Sequence, residues 1–222
     1  MKPTKEYNGR SRIRMFNVDC MDFMEDCDKY DLAIVDPPYG IGMDGYTTDE
    51  KPNDKWKNKK AKVYKKKDWD ELPTDEYFNK LFKASDNQII WGGNYFNLPP
   101  SGGWVVWDKK KPENFSLSQA ELAWVNNSGR VSIFRYLWNG FQKERPEFRF
   151  HPTQKPVQLY KWLLTNYAKE GDTIFDSHGG SMSIAIACWD LGFDLDIIEL
   201  DEDYFNDAVK RFETHIAQTQ LF

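Results

Sequence analysis

The tetrapeptide Asp36-Pro37-Pro38-Tyr39 carries the most specific chemistry in the chain. The Asp36 carboxylate can accept one N–H of a planar amine. The Pro37 carbonyl, held rigid by consecutive prolines, can accept the other, and Tyr39 can stack on the ring. An aromatic amine is a poor nucleophile because its lone pair is conjugated. Two acceptors aimed at its hydrogens favour a pyramidal nitrogen and free that lone pair, which is stabilisation directed at the transition state. The same four residues also read as a rigid turn leaving a strand. A second cluster, Asp176-Ser177-His178-Gly179-Gly180-Ser181, has glycines that let backbone approach a ligand. A helix opening behind it would offer N–H groups to an anion. Glu199 suits the acceptance of ribose hydroxyls, although an ordinary surface acid looks the same in sequence.

These residues need a scaffold that gathers them. Apolar runs alternate with amphipathic stretches, which implies an α/β fold. Strands are expected over 12–18, 30–35, 88–91, 104–107, 121–125, 172–175 and 195–198. The run over 30–35 is compact and apolar, as in a strand buried on both faces. Pro37 and Pro38 lack N–H donors and end it. Helices are expected over 21–27, 74–84 (with Thr74 as N-cap), 158–168, 182–191 and 204–216. The stretch 182–191 is apolar nearly all round, so its helix should be buried. In an open α/β sheet, ligands bind beyond the carboxyl ends of the strands. Asp19, Asp36, Asp176 and Glu199 all stand at such ends, so the expectation is one cleft lined by four acids distant in sequence.

The chain has 222 residues and a net charge of −5, from 30 basic and 35 acidic side chains. That balance alone argues against a nucleic-acid partner, but its distribution reverses the inference. Residues 51–67 hold nine lysines and one acid, leaving −13 on the rest. Such a segment is either a solvated loop or a polyanion contact, since each phosphate-paired lysine releases counterions. Trp56, Tyr64 and Trp69 lie in or beside it and could stack on bases. No stretch approaches the roughly 20 apolar residues of a membrane span. Residues 1–6 have no apolar run behind them, so no signal peptide is expected. Cys20, Cys27 and Cys188 are odd in number and lack metal-ligand spacing, which fits reduced thiols in a cytoplasmic compartment.

Taken together, Asp36 to Tyr39, His151-Pro152-Thr153-Gln154-Lys155-Pro156, Asp176 to Ser181, and Ile198-Glu199-Leu200-Asp201-Glu202-Asp203-Tyr204 resemble the S-adenosylmethionine-dependent DNA amino-methyltransferases. The segments Ile90-Trp91-Gly92-Gly93-Asn94-Tyr95-Phe96 and Glu121-Leu122-Ala123-Trp124 resemble that family too. The catalytic motif precedes the cofactor loop, as in its β class. The resemblance implies a Rossmann-like class I methyltransferase sheet with circularly permuted motif order, mostly parallel with one antiparallel strand. It implies one domain over 1–222, with a Lys-rich loop at about 40–73 and a short target-recognition insert at about 126–150. It also implies that Asp36, Pro37, Pro38 and Tyr39 hold a flipped base. S-adenosyl-L-methionine would be met by Asp176, Ser177, His178, Gly179, Gly180 and Ser181 at its methionine part. Glu199, with Leu200 beside it, would take the ribose, and Asp19, with Cys20, the adenine end. His151, Thr153 and Lys155 would lie near the methionine carboxylate. For Lys155 the plain alternative is a solvated residue at a helix entrance, and for His151 a structural hydrogen bonder.

Two departures from the family pattern stand out. The cofactor loop usually reads Asp-Pro-Phe-x-Gly-Ser-Gly-Thr, whereas here Ser177-His178 replaces Pro-Phe and Met182-Ser183 replaces Gly-Thr. Met182 puts a side chain where close backbone approach is expected. The recognition insert is also small, so Lys55, Lys57, Lys59, Lys60, Lys62, Lys65, Lys66 and Lys67, with Arg135, are expected to contact double-stranded DNA. The loop from about 45 to 67 is expected to order on that DNA. The resulting expectation is N6-adenine methylation of DNA, with Asp heading the tetrapeptide where N4-cytosine enzymes more usually carry Ser. N4-cytosine methylation and a catalytically silent DNA-binding relative stand as alternatives. The permuted motif order argues against methylation of RNA or of a protein glutamine. The sequence leaves open a homodimer and a restriction or host partner.

Overall fold

The computed structural model describes residues 1–42, 67–111, 118–138, 143–144, 147 and 149–219. Among these residues nine strands form one sheet: β1 (Lys5–Asn8), β2 (Arg12–Phe16), β3 (Tyr30–Val35), β4 (Ser85–Trp91), β5 (Gly103–Asp108), β6 (Ala120–Val125), β7 (Val131–Arg135), β8 (Thr173–Asp176) and β9 (Asp194–Ile198). Their spatial order is β1-β2-β9-β8-β3-β4-β6-β5-β7. The helices are α1 (Cys20–Phe23), α2 (Asp75–Ala84), α3 (Val157–Tyr167), α4 (Ser183–Leu191) and α5 (Glu202–Thr219).

The α/β class and the mostly parallel sheet agree with expectation. The count of reversed strands does not: β1 runs against β2, and β6 runs against both β4 and β5. Two strands are therefore antiparallel to the rest, where one was expected. The missed one, β1, is short, polar and mostly exposed, so no apolar alternation marked it. Strand β7 was missed as well. It lies within the stretch expected to be a recognition insert, yet it pairs in parallel with β5 and forms the sheet's second edge.

Side-chain alternation explains the layers. In β3, Leu32 and Ile34 join a core shared with α3, α4 and α5, while Ala33 and Val35 join another with α1 and α2. A strand buried on both faces is apolar at every position, which is why residues 30–35 were readable. Thr74 caps α2 by accepting from the Tyr77 N–H, and Asp75 and Glu76 follow in the first turn, where the helix dipole favours negative charge. Its Tyr77, Phe78 and Leu81 are buried, and each such side chain contributes roughly 1.5–3 kcal/mol. The all-round apolar helix α4 is buried from Ser183 to Trp189. No helix among the described residues is long and apolar enough to cross a membrane.

This order defines where a ligand belongs. From β3 the chain goes through α2 to β4 on one side, while β8, β9 and β2 lie on the other. The switch point is at the carboxyl end of β3, beside β8.

Candidate active site

Four neighbouring strands deliver the four acids. Asp19 follows β2, Glu199 follows β9, Asp176 ends β8 and Asp36 follows β3. A cavity of about 370 Å³ lies over these ends, lined by Asp19, Asp36 and Glu199. Asp176 is recessed behind it, 2% exposed, with one oxygen accepting from the His178 N–H at 3.0 Å. The cavity is also lined by Cys20, His151, Thr153, Lys155, Ser177, His178, Gly179, Gly180, Ser181 and Leu200. Every residue expected at the cofactor is therefore at this cleft or, in the case of Asp176, directly beneath it.

The turn after β8 is shaped by backbone. Gly180 adopts a left-handed φ of +49°, which favours glycine. Its N–H donates to Glu199 at 2.6 Å, and the second Glu199 oxygen accepts from the Asp201 N–H at 2.8 Å. Met182 is also left-handed, with φ 51°, but its side chain is 1% exposed and packs in the core. It does not line the cleft, so the expected obstruction by this side chain is absent. His178 lines the cleft edge-on to Tyr77, and Ser177 shares a 2.7 Å hydrogen bond with the Tyr77 hydroxyl.

The electrostatics of this half are unusual. Burial raises the Asp176 carboxyl to about 8, with Asp36 and Glu199 adding like-charge repulsion. Burial likewise raises Glu199 to about 7. Burial lowers His151 to about 3 and His178 to about 4, so both rings are neutral at pH 7. His151 packs its ring on Tyr204 at 4.2 Å and pairs through Nδ1 with the Thr153 hydroxyl at 3.1 Å. An acid-rich cleft with neutral imidazoles suits a cationic ligand bearing hydroxyls and an amine. A sulfonium nucleoside such as S-adenosylmethionine has those features, so the residues present fit it.

A second cavity, of about 510 Å³, adjoins the first. Asp36, Pro38, Trp69, Thr153, Gln154 and Lys155 line both. Its own walls include Pro37, Tyr39, Tyr95, Trp107, Lys109 and Glu121. The Tyr39 ring stacks on Tyr95 at 5.1 Å. Gly92 makes room for that ring: a Cβ there would fall 2.2 Å from it. Lys155 does not point to the cofactor side alone. Its ammonium lies 2.5 Å from Asp36 Oδ2, 3.2 Å from Glu121 Oε2 and 3.3 Å from the Tyr39 hydroxyl. The Tyr39 hydroxyl donates to Asp36 Oδ1 at 2.6 Å. Lys109 holds the other Glu121 oxygen. Burial would raise the Glu121 carboxyl, but Lys155 and Lys109 outweigh it and hold it at about 2. Burial would lower Lys155, and the charges of Asp36 and Glu121 outweigh that too, so its ammonium persists.

Sequence reasoning missed Glu121 and Lys109 as site residues. The available signal was a charge at the end of each of two otherwise apolar strands, β5 and β6. The expected DNA contacts Lys55, Lys57, Lys59, Lys60, Lys62, Lys65 and Lys66 lie outside the described residues, as does most of the loop from 45 to 67. Lys67 is drawn to the cofactor cleft, where Asp201 and Asp203 bind it at 2.7 Å each. Arg135 is exposed on β7, 3.5 Å from Asp108.

The fold and the paired cavities define a class I methyltransferase architecture. Residues 49–210 match the DNA methylase family of N6 and N4 methyltransferases, and the chain belongs to that family. It is a DNA amino-methyltransferase that uses S-adenosyl-L-methionine. Similar curated proteins include the type II methyltransferase M2.MboI of Moraxella bovis, 24% identical over 233 residues, covering 84% of this chain and 82% of that protein. The type II methyltransferase M2.DpnII of Streptococcus pneumoniae is 23% identical over 259 residues, covering 95% and 93%. Among solved structures, the M1.HpyAVI–SAM complex superposes with a TM-score of 0.58 at 16% identity, covering 90% of this chain and 99% of that one. The cytosine-N4-specific PvuII DNA methyltransferase gives 0.57 at 12% identity, covering 90% and 86%. At such identities the two structures speak for the fold alone.

Proposed function

We propose that the protein methylates the N6 amine of an adenine turned out of duplex DNA. The observation that carries this reading is the position of Asp36. It stands where the acid-lined cleft and the aromatic-walled cavity meet, so an amine held there faces both. S-adenosyl-L-methionine, when bound, supplies an electrophilic methyl group. Asp36 and the Pro37 carbonyl accept the two amine hydrogens and orient the nitrogen lone pair toward the cleft. Tyr39 and Tyr95 provide flat surfaces for the base. Glu199 accepts ribose hydroxyls, and Asp19 lies at the adenine end of the cofactor. Ser177, His178 and Gly179 to Ser181 line its methionine part, with His151 and Thr153 beside them.

Reaching this cavity requires the base to leave the stack, at a cost of a few kcal/mol. The lysines between 55 and 66 hold the DNA backbone in this reading, which follows from their charge. Asp36 rather than Ser at the head of the tetrapeptide favours adenine over cytosine. The test is incubation of the protein with unmethylated DNA and labelled S-adenosylmethionine, followed by nucleoside mass analysis. N6-methyladenine is the expected product. N4-methylcytosine would replace the target base in this reading, and no transfer by folded protein on varied DNA would overturn it.

A further inference from the structure

We infer that Lys155 and Asp36 together read the amidine edge of the target base, with Lys155 donating to the ring nitrogen next to the amine. This rests on the reading that the flipped base enters the cavity of about 510 Å³. Adenine and cytosine both present an amine donor beside a ring-nitrogen acceptor. Guanine and thymine present an oxygen acceptor beside an N–H donor on the corresponding edge. A carboxylate oxygen 2.5 Å from an ammonium is an acceptor beside a donor, which complements the first pattern and opposes the second.

The cavity contains a stand-in for that edge. The Tyr39 hydroxyl donates to Asp36 at 2.6 Å and accepts from Lys155 at 3.3 Å. One O–H group thus occupies the same donor-and-acceptor pair that an amidine would. Lys155 hydrogen-bonds Asp36 and the Tyr39 hydroxyl, and its ammonium also forms an ion pair with Glu121 at 3.2 Å. Glu121, itself held by Lys109, anchors the lysine from behind. The donor now facing Tyr39 passes to the base when that hydroxyl gives way. A lysine 4% exposed between two carboxylates cannot swing away to serve elsewhere without stripping Asp36 of its ion-pair partner and Glu121 of one of its two. Glu121 is accordingly a positioning residue for Lys155, and Lys155 is the contact that sets base class.

The test compares duplexes carrying adenine, 3-deazaadenine or 1-deazaadenine at the methylated position. The 3-deaza base keeps the acceptor beside the amine, and the 1-deaza base replaces it with C–H. A site built to hydrogen-bond that atom leaves a buried charged donor unpaired when the atom is absent. The expected result is kcat/KM about tenfold to a hundredfold lower for 1-deazaadenine than for 3-deazaadenine, with cofactor affinity unchanged. If cytosine is the methylated base, 3-deazacytosine against cytosine makes the same comparison. The Lys155→Met variant, where it folds, should lose the discrimination. The wild-type series decides the matter without it. Equal kcat/KM for the two deaza bases overturns the inference while leaving the methylation reading intact. Absence of transfer to both adenine and cytosine overturns the two together.

Discussion

The two halves of the active site treat charge in opposite ways. In the cofactor half, the buried Asp176 and the partly buried Glu199 have no ion-pair partner among the described residues, and desolvation lifts them to about 8 and about 7. In the target half, Asp36 and Glu121 are also withdrawn from solvent, but Lys155 contacts both and Lys109 contacts Glu121. A carboxylate removed from water without a partner is costly, and a paired one much less so. The first half is built to be completed by a positive ligand. The second is already neutralised and suits an uncharged one. A sulfonium cofactor and a nucleobase differ in this respect, so the charge pattern alone tells the two cavities apart.

The most severe way to break this division is Asp36→Ala. Asp36 lines both cavities, yet its hydrogen bonds go to Tyr39 and Lys155 on the target side. Turnover should fall by roughly a thousandfold, the scale of losing a group aimed at the reacting atom. Cofactor affinity should stay within about threefold. Single-turnover methyl transfer and calorimetric cofactor titration measure the two effects separately. Loss of both folding and cofactor binding would make Asp36 a structural residue and would join the halves that the charge pattern separates.

A smaller effect sharpens the comparison through pH. A carboxyl raised in the folded state holds its proton in the empty cleft until pH approaches the raised value. A cationic ligand favours the ionised form, so cofactor affinity should rise by at least about tenfold from pH 5.5 to 7.5, and Glu199→Gln should flatten that rise. For the ligand-free protein the sign is opposite. The folded state binds more protons than the unfolded chain between about 4 and about 8, so the Asp176 and Glu199 contributions to stability fall as pH rises through that window. Glu121, held at about 2, stays ionised throughout and leaves the target half unchanged. Calorimetric titration across the window checks the first statement, and thermal unfolding without ligand checks the second. A flat affinity profile would remove the distinction between the halves.

The cofactor half was far more legible in the sequence than the target half, and the reason is geometric. Its residues come from the carboxyl ends of buried parallel strands, whose apolar runs mark the end point by a change to acid or glycine, as at Phe175-Asp176 and Ile198-Glu199. The target half takes Lys109 from just past β5 and Glu121 from the partly buried start of β6, where partial burial hides which polar residue faces a cavity. The motif around Lys155 implies only a place beside the cofactor, whose cavity the lysine does line. Its reach to Asp36 and Glu121 depends on how residues 151–156 pass over the sheet, and no local pattern encodes that path. Strands β1 and β7 escaped notice because edge strands lack the two-sided burial that makes β3 obvious.

The smallest expected change in binding tests whether backbone or side chain shapes the cofactor turn. Met182 holds a left-handed φ of 51°, a conformation costing a non-glycine residue about 1–2 kcal/mol, while its side chain is buried in the core beneath the cleft. Met182→Gly relieves the backbone cost and removes the buried side chain. Truncating a buried methionine costs about 2–5 kcal/mol, so the net effect should be destabilisation by up to about 4 kcal/mol in urea unfolding. Cofactor affinity should move by less than about twofold, because the side chain is not at the cleft surface. A gain of tenfold or more would mean that Met182 obstructs the ligand after all. An unchanged affinity with lowered stability would mean that the turn tolerates Met in place of the usual glycine because the core beneath it holds the side chain.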